Sequence, residues 1–151
     1  KYYNTKLIGL RFFTVYGEWG RPDMMMIKYI DSFYKNKLFY LNNYGNHARD
    51  FTYIGDVVNI LYLLLKKQKK LKDFDLFNIC SNHPISLKKI ISFMKKNKIN
   101  PKIKKISLQK ADILKTHGDN SKLLKNIKYK NFSDWRNSIK KTIIWYQKNM
   151  I

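Results

Sequence analysis

The sequence predicts an α/β fold, and three observations carry that prediction. Short apolar runs rich in β-branched and aromatic residues alternate along the chain with longer segments of helical periodicity. The first run, Leu10 to Tyr16, has the composition of a strand covered on both faces, and it passes directly into a loop broken by Gly17, Gly20 and Pro22. With 151 residues and 44% apolar content, the chain is long enough for one domain with a core.

Element by element, the pattern predicts a strand over 8–16 and a helix over 24–36 with Asp23 as its N-cap. Strands at 38–41 and 50–54 follow, then a helix over 56–67 capped by Asp56. Lys66 to Lys72 form a basic helix end and turn, favourable to the helix dipole. A strand at 75–80 leads to a helix over 86–97, where Ser86 is the cap and Leu87, Ile90, Ile91 and Met94 recur at i, i+3, i+4 and i+7. A strand at 103–107, a short helix at 120–126 and a helix over 133–149 behind the cap Ser133 complete the series. Trp135, Ile139, Thr142, Ile143, Tyr146 and Met150 form the apolar stripe of that last helix. These stripes read as core, and no repeat or low-complexity linker divides the chain.

Charge is the strongest bulk signal, with 31 basic against 10 acidic residues and a net charge of +21. Such a balance suggests a nucleic-acid partner. Yet only four of the basic residues are arginine (Arg11, Arg21, Arg49 and Arg136), whereas base-edge and phosphate recognition favour arginine forks. Lys, Asn and Ile abundant together point instead to an A/T-rich coding sequence, with most lysines on solvated faces. Specific nucleic-acid binding is not expected; weak binding at low salt is. The single cysteine, Cys80, excludes an internal disulfide, fits a reducing, cytoplasmic setting and reads as a small buried hydrophobe. His47, His83 and His117 show no metal-ligand spacing. The longest apolar stretch, Val57 to Leu65, is interrupted by Asn59 and falls well short of the roughly 20 residues of a membrane span.

Chemistry concentrates after the first strand, because open α/β sheets bind ligands just beyond the carboxyl ends of their strands. Thr14 offers a hydroxyl there, and Arg21 a guanidinium fork for a carboxylate or phosphate. Spacing alone also fits an ordinary loop arginine, a β-branched strand threonine, packing roles for Phe12 and Phe13, and a surface Arg49 paired with Asp50.

Gly9 to Met24 resembles the pattern GLRFFTVYGPWGRPDM of the extended short-chain dehydrogenase/reductases, specifically the UDP-glucuronate 4-epimerases, with Glu18 in place of proline. Arg49-Asp50-Phe51-Thr52-Tyr53-Ile54 and Asp56-Val57-Val58 resemble RDFTYIDDIV, with Gly55 replacing an acid. Gln109-Lys110-Ala111-Asp112 is similar to QPGD, and Trp145-Tyr146 to a closing WY. The matches lie in order over nearly the whole chain.

That resemblance implies the carboxyl-terminal part of such an enzyme: the last Rossmann strands plus a small α/β substrate-binding lobe. Strands 8–16 and 75–80 would then belong to the dinucleotide-binding sheet. The six glycines never form the family's GxxGxxG turn. Lys1-Tyr2-Tyr3-Asn4 would be the tail of the helix bearing the family's Tyr-x-x-x-Lys pair. Tyr2 or Tyr3 with Lys6 stands too close to the strand for a helix and reads as structural. No catalytic residue and no metal ligand is therefore assigned.

In the family, NAD oxidises the sugar at C4 and returns the hydride to the opposite face. The resemblance thus implies NAD, bound mainly by a missing amino-terminal half, and as partners that half, a UDP-sugar and a second copy in a homodimer. It places Thr14 and Arg21 at the hexose C6 carboxylate, Phe12 and Phe13 beside the nicotinamide, and Arg49 on the diphosphate. Gln109 takes a phosphate-side position, Asp112 meets the ribose or neighbouring loops, and Phe39 to Asn43, including Leu41 and Asn42, border the uracil. Glu18 is expected to compete for Arg21 or repel a uronate. The function implied is the substrate-binding half of a UDP-sugar 4-epimerase acting on UDP-glucuronate or UDP-galacturonate, inactive alone. Alternatives are part of another nucleotide-sugar dehydratase or decarboxylase, or a basic nucleic-acid-binding module.

Overall fold

In the computed structural model, which describes residues 5–110 and 112–151, strands and helices alternate as the sequence pattern requires. The readings of Tyr2, Tyr3 and the Lys1–Asn4 helix tail, and Ala111 of the Gln109–Asp112 motif, lie outside the described residues. The elements are β1 (Leu7–Phe12), β2 (Thr14–Tyr16), α1 (Met25–Tyr34), β3 (Phe39–Leu41), β4 (Ala48–Tyr53) and α2 (Ile54–Lys67). They continue with β5 (Phe74–Ile79), β6 (Pro84–Ser86), α3 (Leu87–Lys96), β7 (Ile103–Lys105), α4 (Ser121–Ile127) and α5 (Trp135–Met150).

The expected strand over 8–16 divides at Phe13 and changes partner. β1 runs parallel to β5, from Leu7 opposite Phe74 to Phe12 opposite Ile79. Phe13 N still donates to Ile79 O at 3.3 Å, but Val15 N turns back onto Phe13 O at 3.0 Å, and from Thr14 the chain pairs with β4 instead. The Phe13 ring packs beside Gly118, where a Cβ would collide with both that ring and Cys80 Sγ. β4 also pairs antiparallel with β6, a strand the sequence pattern did not announce, and β3 pairs parallel with β7. An α/β arrangement of mostly parallel pairs results.

Two apolar clusters hold these pairs. One joins α1, α3 and α5 to β2, β3, β4 and β6, through Met26, Ile30, Phe51, Ile90, Met94, Ile139 and Tyr146 among others. The other lies between the β1–β5 pair, α2 and α4, around Val57, Ile60, Leu64, Phe77, Ile79 and Leu123. The α3 stripe is buried as its periodicity requires. In α5, Ile139, Thr142, Ile143 and Tyr146 are buried, but Met150 ends the helix half-exposed and leaves the stripe.

The helix caps depart from expectation for one reason: the short polar side chains near them find distant partners. Asp23 does not cap α1; the cap position falls on Met24, with no side-chain bond, because the Asp23 carboxylate is held by Arg21. Asp56 does not cap α2. It sits buried in the first turn and accepts from Tyr129 Oη (2.7 Å), Ser133 Oγ (2.8 Å) and Ser133 N (3.1 Å). Ser133 is thereby removed from capping α5, and Asp134 does that work, accepting from Arg136 N and Asn137 N. Ser86 caps α3 as expected, accepting from Lys89 N.

Asp56→Ala removes the buried acceptor shared by the partly buried Tyr129 hydroxyl and by Ser133, so it should cost about 1–3 kcal/mol, read as a lowered urea midpoint at unchanged slope. Both outer edges of the two-stranded β1–β5 sheet are unpaired among the described residues, and Leu7, Phe12 and Phe74 are each at least half-exposed there. The chain by itself is therefore expected to self-associate. A monodisperse, cooperatively melting monomer in light scattering and calorimetry contradicts that expectation.

Candidate functional site

The period-2 geometry of β4 builds the site. His47, Arg49 and Phe51 line a cleft of about 550 Å³, while Asp50 and Thr52 on the opposite face are fully buried behind it. Asp50 accepts there from Ser81 N (3.0 Å), Ser81 Oγ (2.7 Å) and Gly118 N (3.1 Å). The same interactions draw the 112–118 segment against the strand: Ala48 N donates to Leu114 O, and Thr116 N donates to Ala48 O. Asp112 at the head of that segment is thus delivered to the cleft side of Arg49.

Six of the seven residues proposed for substrate binding line this one cleft: Thr14, Leu41, Asn42, Arg49, Gln109 and Asp112. They come from β2, the end of β3, β4 and the loop after β7. Asp112 is the hub. Its Oδ1 accepts from Arg49 Nη2 at 3.1 Å, its Oδ2 from Asn42 Nδ2 at 3.5 Å, and His47 Nε2 lies 3.3 Å from Oδ2 without hydrogen-bond alignment. Arg49 Nη1 donates to Ala48 O, which fixes the guanidinium plane. Arg49 is therefore paired with Asp112 and not with Asp50, and both members are about four-fifths buried, with side-chain exposures of 19% and 22%. Phe39, Tyr40, Leu41 and Asn42 form one wall. The following turn holds Asn43, Tyr44 and Gly45 in succession at positive φ, a conformation that asparagine and glycine adopt readily and tyrosine does not.

Arg21, the seventh residue, does not line the cleft. It borders a neighbouring depression of about 300 Å³ with Phe13, Glu18 and Trp19, and its Nη2 lies 2.6 Å from Asp23 Oδ2. That pair is exposed, with the Arg21 guanidinium holding the Asp23 carboxyl below the usual carboxylate range. Asp23 itself lines the cleft, so the arginine stands at the rim with its fork turned to its own chain. Glu18 does not compete for it, contrary to expectation. The Tyr53 hydroxyl donates to Glu18 Oε1 at 2.8 Å, and burial together with that carboxylate pushes the phenol up to about 12. Gly17, at φ 134°, permits this turn, since a side chain there would strike Ile54.

Phe12 and Phe13 lie at the carboxyl end of the β1–β5 pair and outside the cleft; Phe12 is half-exposed and Phe13 packs on Gly118. These two side chains offer a dinucleotide an apolar flank and no phosphate donors. A second Tyr-x-x-x-Lys spacing, Tyr62 to Lys66, falls on an exposed face of α2, where the Lys66 ammonium covers the Tyr62 ring at 4.6 Å, and neither residue lines the cleft. Cys80 is buried, and burial pushes its thiol up to about 11, which suits a packing role. Among the described residues no cluster of three or more His, Cys, Asp or Glu has the arrangement of a metal site, and no helix is long and apolar enough to cross a membrane.

Sequence reasoning missed His47, Asp23 and Lys28, which also line the cleft. The signal for His47 was available in principle. It precedes Arg49 by two residues, so any extended strand that aims one into a site aims the other there too.

Residues 1–80 match the model of the NAD dependent epimerase/dehydratase family. An uncharacterized protein of Methanocaldococcus jannaschii is 40% identical over 149 residues, covering 97% of this chain and 44% of the relative. UDP-glucuronate 4-epimerase 4 of Arabidopsis thaliana is 31% identical over 159 residues, covering 95% of this chain and 36% of the relative. Among solved structures, the UDP-glucuronic acid 4-epimerase of Bacillus cereus in complex with UDP-glucuronic acid and NAD superimposes with a TM-score of 0.83 at 25% identity, over 92% of this chain and 44% of that one. The chain thus spans less than half the length of these relatives.

Proposed function

The chain belongs to the NAD dependent epimerase/dehydratase family, and from that membership we propose that it is the substrate-binding part of an NAD-dependent UDP-sugar 4-epimerase, with a UDP-uronate as substrate. The observation that carries this reading is the convergence of Thr14, Leu41, Asn42, Arg49, Gln109 and Asp112, from four separate segments, on one cleft. Arg49 supplies a positioned fork for the diphosphate. The Phe39–Asn42 wall supplies an apolar face for a base. Thr14 and, once released from Asp23, Arg21 meet the carboxylate of the sugar. NAD supplies the redox chemistry when bound, and its binding groups belong to polypeptide beyond these residues, as do the proton-transfer groups. The chain alone therefore binds substrate without turning it over. Relatives whose names state UDP-glucuronate 4-epimerase activity support the uronate.

Titration calorimetry with UDP tests the reading. Arg49→Ala removes charge-assisted contacts worth about 1.5–3 kcal/mol, so UDP affinity should fall roughly 10- to 100-fold. A basic nucleic-acid module would instead bind duplex or single strands with a steep salt slope and be indifferent to this substitution. The uronate preference has its own test. Arg21→Ala should erase any preference for UDP-glucuronate over UDP-glucose, and Asp23→Asn, which frees the guanidinium, should strengthen it. Equal effects on both sugars would remove Arg21 from the site.

A further inference from the structure

One broad face of the molecule carries charge of a single sign. Residues 76–111 contain nine lysines and neither aspartate nor glutamate, although the chain holds ten acids elsewhere. All nine lysines are exposed, and none of them forms an ion pair among the described residues. The helix α3 gathers four of them. Its stripe of Leu87, Ile90, Ile91 and Met94 is buried, so Lys88, Lys89, Lys95 and Lys96, at i, i+1, i+7 and i+8, share the solvent side. The strand β7 adjoins them. Lys88 packs on Gly45 in the turn after β3, where a Cβ would lie 3.4 Å from Lys88 Cγ, and in that turn Tyr44 N donates to Ile106 O just beyond β7. Lys104 and Lys105 on β7 thus continue the face, with Tyr44 and Tyr40, the register partner of Lys104, about half-exposed beside them.

Cations gathered without counter-ions repel one another, and a negative surface laid against them relieves that repulsion. Three features choose the kind of surface. The face has no arginine, the residue whose fork suits base edges and single phosphates. Eight of the nine lysines border none of the molecule's three principal hollows (the cleft, the Arg21 depression and one of about 320 Å³ beside Trp135), so no basic groove tracks a nucleic-acid strand. Tyr40 and Tyr44 present amphipathic rings of the kind that settle among lipid head groups.

We propose that the α3–β7 face docks on an anionic lipid bilayer. Lysine clusters of this size on an amphipathic helix bind such surfaces by charge. The apolar stripe of α3 is committed to the core, so the contact is made by ammonium groups and is screened by salt. The proposal is independent of what the cleft binds.

Vesicle flotation of the 151-residue chain tests it, because self-associated protein sinks while vesicle-bound protein rises. At physiological salt, wild type should float with vesicles of mixed phosphatidylcholine and phosphatidylserine and not with phosphatidylcholine alone. Replacing Lys88, Lys95, Lys96 and Lys104 together by glutamine should weaken binding about tenfold or more. The same replacement of Lys66, Lys69, Lys70 and Lys72, an equal loss of charge elsewhere, should weaken it far less. A readout on wild type needs no variant to fold: mixed vesicles should protect Lys88, Lys95, Lys96 and Lys104 from reductive methylation and leave Lys69, Lys70 and Lys72 reactive. Equal weakening in the two variants overturns the proposal, as does equal protection of the two sets or no flotation with mixed vesicles. Duplex DNA that displaces the chain from mixed vesicles at equal phosphate concentration would make the face a nucleic-acid surface and overturn it too.

Discussion

The architecture of the cleft depends on a carboxylate that never meets water. Asp50 is fully buried, and an isolated charge in such a place is prohibitively costly. Its three donors, Ser81 N, Ser81 Oγ and Gly118 N, offset that cost, and they come from two segments remote in sequence. Satisfying one buried charge therefore fixes three pieces of chain at once: β4, the turn after β5 and the segment that runs on from Asp112. Because side chains alternate along a strand, clamping Asp50 on one face fixes where Arg49 and His47 stand on the other. The hidden face of β4 holds the scaffold, and its open face presents the chemistry.

Local periodicity made most of the fold legible. The α3 stripe and the strand at 75–80, where Asp75, Phe77 and Ile79 alternate inward, follow from side-chain spacing alone. What periodicity cannot encode is the choice of partner. Residues 8–16 read as one strand because the apolar, aromatic and β-branched run from Leu10 to Tyr16 passes through Phe13 without a break signal. The break at Phe13 arises only because β5 and β4 lie on different courses, so the chain must leave one to join the other. The caps failed for a similar reason. Asp56 and Ser133 are each good local caps, but they are better partners for one another across 77 residues of sequence.

The candidate site divided along the same line. Residues whose strand or loop determines their direction, such as Arg49, Leu41 and Asn42, share the cleft they were expected to share. Arg21 is different because a guanidinium on a flexible stem goes to the nearest carboxylate, and Asp23 stands two residues away. His47 escaped notice because it has no metal-ligand spacing, and its place two residues before Arg49 becomes a signal only once Arg49 is known to face a site. Its significance arises from what surrounds it: a buried position, an unpaired nitrogen and Asp112 alongside.

Arg49 in the cleft and Arg21 beside it, then, are already engaged by acids of their own chain, and the two pairs differ in how firmly they are held. The Arg21–Asp23 pair is mostly exposed, with side chains 76% and 64% accessible, so solvent screens it and little holds it closed. It can open to an incoming anion at small cost. The Arg49–Asp112 pair is largely buried and tied further to Asn42 and to the Ala48 carbonyl. Breaking it would strand a carboxylate in a poorly hydrated place, so Asp112 stays beside Arg49 when a ligand arrives. An anionic group must therefore approach Arg49 from the side away from Asp112, while whatever faces Asp112 has to bring a proton. The chain's net charge of +21 attracts anions from a distance, whereas the two acids and two bases that line the cleft balance one another. On the proposed reading, the Asp112 carboxylate held beside Arg49 would set which groups the cleft admits there.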